Sequence, residues 1–168
     1  MSVSLYDVTI PVFIRSLEAM AEFLDKGRAF VKETGLPEAD LLEARLFEDM
    51  APLPAQVQRA SDAAKFTAAR MAQVEAPAMP DTETSFDELQ ARIAATIDFL
   101  KTVPANSMDG REDAEITLQT PGQSFAFAGT DYVRQFALPN FFFHVTTAYA
   151  LLRMKGVPVG KLDFLGGI

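Results

Sequence analysis

Over most of the chain, apolar residues recur every three or four positions, and in one short stretch they recur every second position. Between Leu5 and Val31 the series is Leu5, Val8, Val12, Leu17, Met20, Leu24 and Val31, the spacing of one buried helix face. Pro11 falls near the start, where a proline opens or kinks a helix, and Gly35 and Pro37 close the element. Glu38 to Phe47 reads as a short helix or turn. A second long helix opens at Pro52 to Pro54 and carries Leu53, Val57, Ala60, Ala64, Thr67 and Met71 on one stripe. Small residues dominate that stripe, so another helix can approach it closely. Pro77 and Pro80 then mark a loop.

The third helix has the clearest start signal. Ser85 with Glu88 three residues later is a capping box, and Phe86, Leu89, Ile93, Ile97 and Leu100 follow at helical spacing until Pro104 and Asn106. From Glu115 to Ala128 the period changes. Ile116 and Leu118 alternate with polar residues, Pro121-Gly122 interrupts, and Phe125 and Phe127 alternate again. Two short strands around a tight turn are predicted. Such a hairpin is marginal alone and must lie on the rest of the molecule.

A fourth helix runs from about Thr130 to Lys155, stopped by Gly156 and Pro158, with Pro139 inside it as a bend. One face carries Val133, Ala137, Asn140, His144, Thr147, Leu151 and Met154, and Phe136, Phe141, Phe142, Phe143, Val145, Tyr149 and Leu152 occupy the others. A helix apolar nearly all round is buried nearly all round, and three partner helices do not cover every side. A homodimer is therefore expected, with Phe141, Phe142, Val145 and Tyr149 as the contact surface. The predicted fold is all-α, one domain over residues 1–168. It is an antiparallel four-helix bundle with helices near 4–33, 53–73, 85–102 and 130–155 and a short β-hairpin near 115–128, before the last helix.

Composition narrows the chemistry. With no cysteine there is no disulfide, thiolate metal site or thiol nucleophile. A net charge of −8, with basic residues scattered, argues against a nucleic-acid partner. No apolar run reaches the roughly 18 residues of a membrane span, and the segment Met1 to Pro11 has an aspartate and no basic residue, unlike a secretory signal. A cytoplasmic protein without a membrane partner is the expectation. A single histidine excludes HExxH and any His-rich zinc or di-iron site. G-x-S-x-G, GxxxxGK[ST] and GxGxxG are all absent.

Asn140 and His144 are the unusual pair: four residues apart, they share one face of the fourth helix, one turn from each other, on the core stripe. A polar pair there either finds internal partners, as a satisfied core histidine does, or faces a small cavity, since unpaired burial costs roughly 1–3 kcal/mol per group. Gln56 lies near the second helix's apolar stripe, with Gln58 and Asp62 a quarter to a half turn away. A carboxylate from Asp62 on His144 would orient the imidazole and raise its pKa.

The run Asn140-Phe-Phe-Phe-His144 through Arg153, the turn Gly156-Val-Pro158-Val-Gly160-Lys161, the segment Gln56-Val-Gln58-Arg-Ala-Ser-Asp62 and the closing Asp163-Phe-Leu-Gly166 carry a resemblance. From Leu5 to Gly166 the chain resembles the DinB-like (YfiT-like) four-helix bundles, and more closely a bacterial branch of them classed as a domain of unknown function. The resemblance implies three metal-binding histidines, one on helix two and an HxxxH pair on helix four, the second of which lies nine residues before an arginine. Here His144 matches that second histidine, ahead of Arg153; the first falls on Asn140, and the helix-two position on Gln56 or Gln58. Neutral amide oxygens are poor ligands for zinc or nickel, so no metal and no cofactor are expected. What the resemblance implies is the architecture, a pocket at that location and a homodimer. Three functions follow: a small-molecule binding protein with ligand-binding residues His144, Asn140, Gln56 and Asp62 in a lost metal site; a metal-independent enzyme with His144 as general base; and a non-catalytic dimeric structural or stress-related module.

Overall fold

The computed structural model describes residues 3–120 and 122–167. Met1 and Ser2 of the opening segment and Pro121 of the expected turn lie outside them. The elements are α1 (Ile10–Thr34), a single turn α2 (Ala39–Leu42), α3 (Leu53–Ala72), α4 (Phe86–Lys101), β1 (Glu115–Thr120), β2 (Gln123–Ala128), a turn α5 (Gly129–Asp131), a π-helical segment (Tyr132–Ala137), α6 (Leu138–Met154) and a closing turn α7 (Lys161–Leu165). No described helix is long and apolar enough to cross a membrane.

The first helix begins at Ile10, six residues later than the expected start at 4, because Pro11 sits in its first turn, where its missing N–H is no loss and its fixed φ is already helical. Before it, residues 5–9 form turns closed by the Thr9 hydroxyl donating to the Leu5 carbonyl at 2.6 Å. At the other end, Gly35 takes the left-handed φ of 73° and returns its N–H to the Val31 carbonyl, a conformation that disfavours any residue with a Cβ. In α3, all six residues of the expected stripe are buried. In α4, the Ser85 hydroxyl accepts from the Glu88 N–H, while the Glu88 carboxylate reaches back one residue further than a capping box requires, to the Thr84 N–H at 2.6 Å.

The four long helices form a bundle in which α1 and α3 are diagonal. Side-chain pairs give their directions. Gly27 lies against Phe86, and Gln90 donates to the Ala21 carbonyl, so α1 and α4 are antiparallel. Gln56 meets His144 and Thr67 meets Tyr132, so α3 and the last helix are antiparallel. Phe13 packs at a tilt against Phe141 and Phe23 edge-on against Tyr149, which makes α1 and α6 parallel. It follows that α3 and α4 are parallel too, joined by residues 73–85, which run back along α3. At the α1/α6 crossing, a Cβ on Gly27 would lie 3.1 Å from Leu152 Cδ2, so glycine sets the close approach there.

The hairpin pairs Ile116 with Phe127 and Leu118 with Phe125. Ile116 and Leu118 are buried, and Phe127 packs edge-on against Tyr132 at 6.2 Å between ring centroids. A side chain at Gly129 would collide with the Arg111 carbonyl oxygen, so the hairpin can enter the last helix only through glycine. The π-helical segment ends immediately before Leu138 and Pro139. A proline donates no backbone hydrogen bond, and the wider register ahead of it absorbs that gap.

Two expectations about the last helix are corrected. Met154 is 51% exposed rather than on the core stripe. Phe141 and Val145, expected on a subunit interface, are fully buried inside the chain, Phe141 against Phe13 at 4.7 Å. The parallel α1 and the closing turn α7 cover that flank, with Phe164 of α7 against Tyr149 at 5.8 Å.

Candidate functional site

His144 lies in the middle of α6, buried, with Gln56 of α3 opposite. Its Nδ1 is 2.8 Å from Gln56 Oε1. The Gln56 amide is fixed in turn, because its Nε2 donates to the Ala51 carbonyl at 2.8 Å. An oxygen therefore faces the imidazole, so Nδ1 carries the proton and donates. Nε2 is left as the acceptor, and no group among the described residues hydrogen-bonds it.

That side of the ring borders a cleft of about 250 Å³ between α3 and the π-helical and α6 segments. Arg59, Asp62, Phe66 and Arg70 line it from α3, and Tyr132, Phe136 and half-buried Asn140 from the other side. Leu118 of the hairpin also borders it. Burial pushes the His144 pKa from 6.5 down to about 4, and the nearby positive charge of Arg59 acts in the same direction. At neutral pH the ring is uncharged.

Asp62 borders the cleft but does not reach His144, so the pKa rise expected from that contact is replaced by a fall. Its Oδ1 accepts instead from buried Lys65 at 2.9 Å and from buried Arg92 at 3.0 Å. Arg92 also pairs with Asp81 and Glu83 at 3.0 Å each, and Gln58 donates to Glu83 at 2.8 Å. Gln58 thus belongs to this ion network on the α4 side, and Gln56 is the helix-two residue that faces the histidine. The network was not foreseen. Its signal in the sequence was a lysine three residues after Asp62, which helical spacing puts within reach of the carboxylate.

Arg59 and Arg70 were also missed. Arg59, Asp62, Ala63, Phe66 and Arg70 fall on one helical face, and that spacing was readable. Arg70 donates to the Tyr132 hydroxyl at 3.0 Å and lies 5.4 Å from the Phe66 ring centroid, so its guanidinium is held in place. Neither arginine forms an ion pair among the described residues.

The donor set does not fit a transition metal. Zinc sites take at least three protein ligands, and here one imidazole faces two neutral amides, one of them spent on Ala51. Among the described residues, no three histidine, cysteine, aspartate or glutamate side chains gather as ligands.

Comparison with known proteins supplies the lineage. Residues 5–165 match the family described as a domain of unknown function, DUF1993. The crystal structure of a DinB family member protein from Shewanella denitrificans is similar to this chain over 98% of its length and 93% of that chain's, at 37% identity and a TM-score of 0.88. No curated protein matches. With nearly its whole length matched and its bundle shared, the chain belongs to the DUF1993 domain family and, with it, to the DinB family.

Proposed function

We propose that this DinB-family chain binds a small molecule in the cleft beside His144, at the location where the wider superfamily carries its metal ligands. One observation carries the proposal. The buried imidazole commits Nδ1 to Gln56 and leaves Nε2 without a protein partner at the edge of a cavity. Among the described residues the buried side-chain atom without a partner is Arg92 Nε; His144 Nε2 is open to the cleft, where a bound molecule can donate to it in place of water. The chain has one histidine, so its ring gives a single nitrogen and carbon signal set in magnetic resonance. Screening a metabolite library against that signal should find compounds that move the Nε2 resonance. A library-wide failure to move it would reject the binding role. Elemental analysis after a chelator wash should find well below one zinc, nickel or iron per chain; a stoichiometric metal would reject the lost-site reading.

The geometry disfavours the general-base alternative. A base with a pKa of about 4 is weak at neutral pH, where catalytic bases are tuned close to the working pH. Cytoplasmic location fits an acidic chain without cysteine and remains part of the same proposal.

The homodimer is proposed on a surface that keeps Phe142 of the expected one but not the buried Phe141 and Val145. Phe143 is 56% exposed and Phe47 69%, and Phe143 with Leu46, Phe142 and Pro139 lines an apolar groove. Exposed apolar groups concentrated in this way mark interaction surfaces. Light scattering should give twice the chain mass at micromolar concentration, and Phe143→Ser should shift the population to monomer. A monomer mass for the unaltered chain would dismiss the dimer.

A further inference from the structure

The charge of the cleft contradicts the charge of the protein. The chain carries 23 acidic against 15 basic residues, yet two arginines border this one cavity and neither has a carboxylate partner among the described residues. The only acid on the lining is Asp62, and its charge is already shared by the buried Lys65 and Arg92. The cleft is thus locally positive in an acidic molecule. An unpaired guanidinium on a concave surface is suited to a carboxylate, with two parallel N–H donors in a fixed fork.

The cavity's polar groups are not all donors. His144 Nε2 is an acceptor, because the Gln56 amide fixes the proton on Nδ1. A bare carboxylate against that lone pair would be repelled, whereas a hydroxyl there donates to it. Arg59 is the arginine whose charge is felt at His144, and Asn140 stands one turn from the imidazole on α6, with both a donor and an acceptor. Carboxylate and hydroxyl must therefore sit side by side in the ligand. Beyond this polar end the lining turns apolar, with Phe66 from α3, Phe136 from the π-helical segment and Leu118 from the hairpin. At about 250 Å³, the space lies just below the ordinary range of ligand pockets, about 300–1,000 Å³, which excludes nucleotides and other large cofactors.

From these contacts we infer that the cleft takes a small 2-hydroxy carboxylate with an apolar body: its carboxylate on Arg59, its hydroxyl donating to His144 Nε2, and its body between Phe66 and Phe136. Arg70, held by Tyr132 at the far end, adds to the positive field. The assignment rests on the small-molecule reading above and sharpens it to one chemical class.

Four probes of one size separate the contributions on the unaltered protein: mandelate, phenylacetate without the hydroxyl, mandelamide without the charge, and benzylamine with the opposite charge. Titration followed by calorimetry and by the His144 ring signal should rank mandelate first. Losing the carboxylate should weaken binding about tenfold or more, the cost of one charged hydrogen-bond partner, and losing the hydroxyl somewhat less. Benzylamine should not bind. Arg59→Gln should remove the preference for mandelate over mandelamide, and His144→Gln the preference for mandelate over phenylacetate. Mandelamide binding as well as mandelate, or Arg59→Gln leaving the charge preference intact, would overturn the assignment. Neutral library compounds moving the ring signal while no hydroxy acid does would end the anion class and leave the binding role standing. If no compound moves it, both fall.

Discussion

Two faces of α6, one apolar throughout in sequence and one interrupted by Asn140, His144 and Thr147, meet their neighbours in different ways. On the face toward α1, Phe141, Val145, Ala148 and Leu152 are fully buried, and Phe13 and Gly27 fill or permit the close approach. On the face toward α3, the same helix presents Asn140 and His144, and the partner helix answers with Gln56, Arg59 and Asp62 around a cleft. The first interface is closed by Phe13 against Phe141 and Leu152 against Gly27; across the second, Gln56 pairs with His144 while Arg59 and Asp62 line the cleft beside them. One helix thus has a closed flank and a flank that borders a cleft, and the difference lies in what its two neighbours supply.

The largest expected effect compares the two faces directly. Phe141→Ala empties a fully buried site and should cost about 3–5 kcal/mol of unfolding free energy. His144→Ala removes a ring that already borders space water can enter, and strands one Gln56 oxygen, so about 1–2 kcal/mol is expected. Urea unfolding of both variants measures the contrast. Equal losses would mean that the His144 face is as tightly packed as the Phe141 face and that the cleft is no site.

A smaller effect is expected from pH. The folded His144 pKa of about 4 lies below the unfolded value of 6.5, so the unfolded chain binds the extra proton first as pH falls. The stability contributed by the neutral ring is therefore fully present above about pH 6.5 and is lost progressively down to pH 4, below which both states are protonated. At about 1.4 kcal/mol per pKa unit, the loss is at most roughly 3 to 4 kcal/mol. Carboxylates titrate in the lower part of the same window, so the measurement is the difference between the unaltered chain and His144→Gln, which lacks the titrating ring. Parallel pH curves for the two would show that the imidazole is solvated on both sides.

Much of this contrast was legible beforehand, and the parts that were not share a cause. The α3 stripe and the α4 series from Phe86 to Leu100 were readable because a regular helix repeats its buried face. Asn140 and His144 stood out because polar residues interrupted such a repeat, and Gln56 lay near the apolar stripe of the second helix. What periodicity does not encode is which neighbour lies on which flank. Phe141 and Val145 looked like an interface because three partner helices were expected to leave one side of the last helix uncovered. A parallel α1 covers them instead, which depends on the long return of residues 73–85 rather than on any local pattern. Asp62 was placed on the correct cleft but given the wrong partner, since buried Lys65 and Arg92 outcompete a neutral imidazole for a carboxylate. Arg59 and Arg70 look like ordinary solvated charges until the fold places both on one cleft, with neither in an ion pair among the described residues.

The smallest expected effect on stability gives the sharpest reading of the polar face. Gln56→Glu replaces the amide oxygen that receives the His144 proton with a carboxylate of nearly the same shape. The partner that Asp62 does not provide would then be supplied in place. A carboxylate beside Nδ1 favours the imidazolium, opposing the burial and the Arg59 charge that hold the pKa near 4. The His144 midpoint, followed by its ring carbon proton, should rise by one unit or more, about what one adjacent opposite charge contributes. Global stability at pH 7 should fall by only about 1 kcal/mol, because the Ala51 carbonyl loses its donor and the new charge is partly offset by Arg59. Below the raised midpoint, protonation would also turn Nε2 from an acceptor into a donor. The variant should then lose its preference for a hydroxyl at that position and tolerate a plain carboxylate there. If the midpoint stays near 4, the Gln56 side chain is not the group that fixes the imidazole, and the tautomer on which the cleft's ligand preference depends would have to be set by another partner.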